Sequence, residues 1–75
     1  MLFAEGFESA LVGFVEGWHP NGEKFVLALY DRQKCIESLA EDMTISEAEE
    51  FFEFNVAGAY AGPGTPCFAN FAKEG

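Results

Sequence analysis

The sequence predicts a small α+β domain ordered β-β-α-α-β, an antiparallel three-stranded sheet with two helices packed on one face. Three observations carry that prediction. Two runs of alternating apolar residues flank His19-Pro20-Asn21-Gly22, a hairpin loop signature. Thr44-Ile45-Ser46-Glu47 reads as a capping box that opens a helix. Gly62-Pro63-Gly64 ends that helix before a last apolar run.

Each element follows from its residues. Phe3, Phe7 and Leu11 stand four apart, so residues 1–9 read either as a helical turn or as a loose terminus. Ala10 to Trp18 alternates as a strand, with Val12, Phe14, Glu16 and Trp18 on one face. Pro20 presets φ for the second turn position, and Gly22 supplies the left-handed residue of a glycine bulge. Phe25 to Tyr30 returns as the second strand. Asp31 caps the first helix, whose stripe of Cys35, Ile36, Leu39, Ala40 and Met43 carries it to about Met43. Ala48, Phe52, Asn55, Val56 and Ala59 make the buried stripe of the second helix. Thr65 to Phe71 is the third strand, with Pro66 at its start because proline brings no donor to a ladder. Residues 72–75 read as a tail, and 1–75 as one domain.

Both faces of the hairpin are apolar, whereas a half-solvated sheet would alternate with polar residues. Two helices cover only one face, so the N-terminal segment or another molecule must cover the other. A second copy of the chain is the simplest occupant, which makes a homodimer the expectation.

Composition bounds the function. The 75 residues carry a formal charge of −9, nine phenylalanines and no basic residue between Lys34 and Lys73. So many rings in so short a chain cannot all be enclosed, and a surface cluster of them would mark an interface. The charge opposes direct binding to nucleic acid or an anionic membrane and favours a basic protein surface. Glu5 and Glu8 break the apolar start, leaving neither a signal nor a membrane span, and Cys35 and Cys67 read as reduced thiols of a cytoplasmic protein.

No catalytic constellation is legible. His19 sits alone in a turn, the two cysteines give no zinc spacing, and both thiols read as core packing. The acids lack the alternation and central glycine of a calcium loop. Gly62-Pro63-Gly64 follows a helix and lacks the lysine of a phosphate loop. The expectation is therefore no enzyme, no metal and no cofactor. What remains is a run of acids, Glu37, Glu41 and Asp42 on the first helix and Glu47, Glu49, Glu50 and Glu53 on the second. Glu47 belongs to the capping box; Glu37, Glu41, Asp42, Glu49, Glu50 and Glu53, with Phe51, Phe54 and Trp18 as ring anchors, form the expected partner-binding set. Asn55 reads as a buried hydrogen-bond bracket, with a polar anchor in a binding groove as the alternative.

The runs YDRQKCIE at 30–37, EFNVAGAYAG at 53–62 and TPCF at 65–68 resemble a group of short acidic proteins encoded by bacteriophages and prophages. The likeness spans about residues 8–68. It implies a phage setting in a bacterial host cytoplasm and carries over no functional residue. In that setting an acidic protein without catalytic residues is expected to act stoichiometrically, as an anti-CRISPR or anti-restriction inhibitor that offers carboxylates where phosphates would sit. The alternative is a structural or accessory phage protein that self-associates through its apolar sheet, with acidity serving only solubility.

Overall fold

A computed structural model describes residues 1–58, 62 and 64–71. The order β-β-α-α-β holds, with β1 Leu11–Trp18, β2 Lys24–Asp31, α1 Arg32–Leu39, α2 Ile45–Phe51 and β3 Cys67–Ala69. Ahead of β1, Glu8–Ala10 form a 3₁₀ turn, and α2 runs on into a π-helical segment, Phe52–Ala57.

The hairpin forms as its loop residues dictate. The His19 N–H donates to Glu23 O at 2.8 Å and the Gly22 N–H to His19 O at 2.9 Å. Gly22 takes φ 89°, the left-handed residue of the bulge, and Asn21 Oδ1 accepts from the Glu23 N–H at 3.0 Å. At the other end the register slips between Leu11 and Gly13, so Leu11 rather than Val12 sits opposite Tyr30. Val12 is the extra residue of a bulge.

The sheet is mixed, not wholly antiparallel: β1 pairs antiparallel with β2, but β3 pairs parallel to it, Leu29 to Cys67 and Asp31 to Ala69. The reason is the length of the link. Residues 32–66 exceed the dozen or so that a crossover needs, and the chain returns within them to the level of Leu29, near the end of β2. The third strand is also shorter than Thr65–Phe71. Pro66 stands just before it, as a residue without a donor should.

Asp31 caps α1, its Oδ1 accepting from Gln33 N–H at 3.0 Å and Lys34 N–H at 3.3 Å. The helix ends at Leu39, short of Met43. Glu41 and Asp42 would put two negative charges against the negative end of the helix dipole, and the chain tightens there into i→i+3 turns. The capping box of α2 is complete: the Glu47 N–H donates to Thr44 Oγ1 and the Thr44 N–H to Glu47 Oε1, both at 3.1 Å.

The π-helical turn is where sequence and structure part. A period of 3.6 places Asn55 on the buried stripe, but the wider turn selects Ala48, Phe52 and Val56 and leaves Asn55 exposed. Gly58 closes it with an N–H donated to Glu53 O at 3.1 Å; a Cβ at Gly58 would approach that oxygen to 2.9 Å. Ala59, Pro63 and the tail 72–75 lie outside the described residues.

The core holds Phe7, Ala10, Ala28, Tyr30, Cys35, Ile36, Ala48 and Phe52. Phe52 meets Phe68 edge-on at 5.0 Å, and Arg32 stands over its ring at 5.3 Å. The N-terminal segment is anchored on this same side: the Ala4 N–H donates to Tyr30 Oη at 2.8 Å, and the Leu2 N–H to Gly64 O at 2.9 Å. Phe3 packs edge-on against Phe14, whose strand partner is the buried Ala28. The segment therefore does not cover the second face. There, Val15, Phe25, Leu27 and Leu29 stay half-exposed and outside the core, with the Phe25 ring lying across Gly17.

Candidate functional site: the acidic and aromatic face of the second helix

The face is set by α2 and its π-helical extension. Burial of Ala48 and Phe52 against the sheet turns Glu49, Glu50 and Glu53 to solvent, because residues one to two positions away cannot share the buried side. The same burial turns the rings of Phe54 and Phe51 outward, to 78% and 43% exposure. Met43, Glu47, Glu50, Phe51, Phe54 and Asn55 line one shallow depression of about 480 Å³. Two anchor rings thus stand beside two carboxylates. Met43, Glu47 and Asn55 lie outside the expected partner-binding set: the helical period favours the core for Met43 and Asn55, the capping box takes Glu47, and the sequence carries no signal for the π turn that moves Asn55.

The seven acids differ in how free they are. Glu37 accepts from Gln33 Nε2 at 3.3 Å, Glu47 is held in the capping box, and Glu53 is ion-paired with Arg32. Glu41, Asp42, Glu49 and Glu50 are exposed and make no ion pair among the described residues. Thr44, first through its backbone N–H and then its side chain, holds the Glu47 carboxyl below its ordinary range.

Trp18 does not belong to this face. It is 69% exposed at the turn end of β1, with Lys24 Nζ 5.9 Å from its ring centre. The helices spring from the other end of the hairpin, about 23 Å along β2 at ~3.3 Å per residue. Its neighbours are the exposed Val12 and Phe14 of the same strand, which make a separate apolar surface with Phe3.

Other chemistry finds little support. Among the described residues no group of three or more His, Cys, Asp or Glu side chains is arranged to hold a metal ion. His19 leans on Phe25 with ring centres 5.1 Å apart. Burial, and then the Asp31 carboxylate, push the Cys35 thiol up to about 11, so it is a neutral thiol at physiological pH. Cys67 is half-buried, with its thiol directed at Ala28 O at 3.6 Å. Among the described residues no helix is long and apolar enough to cross a membrane.

Comparison with protein-family models, with curated proteins and with solved structures finds no match to this chain.

Proposed function

We propose that the chain acts stoichiometrically, by binding a protein with a basic surface through the acidic and aromatic face of α2 and the π-helical segment. The observation that carries the reading is the shared depression of Glu47, Glu50, Phe51 and Phe54. A lysine or arginine entering it meets carboxylates for ion pairing and ring faces for cation–π contact. The acids steer and orient the partner; Phe51 and Phe54 supply contact area that holds it.

The resemblance to phage-encoded proteins directs this reading to a host defence enzyme, a nuclease or nuclease complex of the CRISPR or restriction type in the bacterial cytoplasm. Such a protein carries a basic groove for nucleic acid, and this face offers carboxylates in its place. The chain needs no catalytic group, cofactor or direct contact with nucleic acid to act so.

The test is inhibition of such an enzyme by the wild-type chain and by Glu49→Gln/Glu50→Gln, measured across salt concentrations. Inhibition should weaken in the variant and fall steeply as salt is added to the wild type. Inhibition insensitive to both would remove charge from the account.

A further inference from the structure

Among the described residues the sheet has an unpaired edge along β1: the strand order is β1-β2-β3, and one side of Leu11–Trp18 meets no other strand. The direction of its backbone groups follows from the hairpin. The His19 N–H donates to Glu23 O, so the pairs His19–Glu23, Gly17–Phe25 and Val15–Leu27 bond across the ladder. The alternate residues, Phe14, Glu16 and Trp18, therefore direct their N–H and C=O groups away from β2. Flanking that edge are the exposed side chains of Val12, Phe14 and Trp18, with Phe3 against Phe14. A long apolar strand edge of this kind is a template for a further strand.

The geometry points to a second copy of this chain as that further strand, with the two β1 edges joined antiparallel about a twofold axis at Val15 to make one continuous six-stranded sheet. Three observations select a copy of the chain. The register centred on Val15 is self-complementary: Phe14 faces Glu16 of the other copy in both directions, exchanging N–H···O bonds, and no acid meets its own copy. Glu16, the only charge of the strand, lies 3.5 Å from Lys24 Nζ, so this edge is where two molecules of charge −9 approach with least repulsion. The exposed acids of α2, Glu49 and Glu50, lie away from this edge, while Glu8 and Glu23 stand beyond its two ends. An eight-residue strand is about 27 Å long. Joined with its flanking side chains, it covers on the order of 1,000 Å² in total, the lower limit of a specific interface. The bulge at Val12 ends the pairing at one side and fixes its register. The resulting dimer is of modest affinity, in the micromolar range.

The pairing uses β1 alone and is independent of the α2 face, so Glu49→Gln/Glu50→Gln leaves it unchanged. Sedimentation of the full chain from low to high micromolar concentration should show a monomer–dimer equilibrium that added salt leaves intact or tightens. Phe14→Pro removes an outward N–H that no internal bond uses, and should raise the dimer dissociation constant at least about tenfold. Phe14→Ala keeps that N–H and should change it far less. Val15→Cys in a Cys67→Ser background tests the register without weakening the strand. A non-bonded antiparallel pair holds its Cα atoms about 4.5 Å apart, within reach of a disulfide. Mild oxidation should thus give a covalent dimer from Val15→Cys and none from Val12→Cys. A monomer at every concentration, a folded Phe14→Pro chain that dimerises like the wild type, or the same crosslinking result for both cysteine variants would overturn the proposal. So would a dimer broken by Leu27→Lys and not by Phe14→Pro, which would move the contact to the second sheet face.

Discussion

Two regions of this small domain leave aromatic rings in solvent, and they differ in what surrounds the rings. On α2, Phe51 and Phe54 stand among Glu47, Glu49, Glu50 and Glu53, with Arg32 paired to Glu53. On β1, Val12, Phe14 and Trp18 stand along a strand whose single acid is already beside Lys24. An apolar surface ringed by one sign of charge repels its own copy and attracts the opposite sign. A nearly neutral edge with unused backbone bonds accepts a like molecule. Under the two proposals the same residue type, phenylalanine, would serve different encounters according to its charged neighbours.

The sharpest test of this comparison lies within three residues. Phe52 is fully buried against Phe68, and Phe54 is almost wholly exposed. Phe52→Ala should cost about 3–5 kcal/mol, enough to unfold much of a domain this size, as read by chemical denaturation. Phe54→Ala should change stability by less than ~0.5 kcal/mol while weakening partner binding. If Phe54→Ala destabilised as much as Phe52→Ala, the ring would belong to the core and the docking face would disappear.

A smaller effect concerns the turn that presents Phe54. Gly58→Ala drives a Cβ toward Glu53 O and should cost about 1–3 kcal/mol in thermal or urea unfolding. Unchanged stability would mean that the turn at Gly58 shifts away from Glu53 O without cost. Thr44→Ala removes the cap of α2 and should cost about 1 kcal/mol.

That cap also has a pH signature. The Glu47 pKa is depressed in the folded chain, so its contribution is present above the ordinary glutamate range and is lost as pH falls through the lowered value. Acid titration of stability should show this loss in the wild type and not in Glu47→Gln, which removes the titrating carboxyl. Least in energy, but easily read, is thiol reactivity. With Cys35 raised to about 11, alkylation near pH 8 should modify Cys67 well before Cys35. Equal rates would place Cys35 outside the core.

How much was legible in the sequence depends on how local each device is. The hairpin loop, the Asp31 cap and the Thr44–Glu47 capping box each lie within five residues, and each forms as its residue types require. The outward turn of the acids and of Phe51 and Phe54 was legible too, because it follows from burying Ala48 and Phe52. The parallel sense of β3 was not, since it depends on the path of the whole link 32–66. The π turn escaped because it arises where Phe52 docks on Phe68 and Glu53 pairs with Arg32, contacts made across 16 and 21 positions. It is the reason Asn55 lies on the candidate site rather than in the core. Trp18 was grouped with the acids because sequence alone gives its exposure and not its place. The sheet puts it on the other surface.

The account rests on the acidic and aromatic face of α2 being a binding surface. The direct measurement is capture from host lysate by the tagged wild-type chain and by Glu49→Gln/Glu50→Gln/Phe54→Ala, side by side at low and high salt. The account predicts one basic partner held by the wild type at low salt, released at high salt, and not held by the variant. Capture of that partner equally by both chains at both salt concentrations would contradict it.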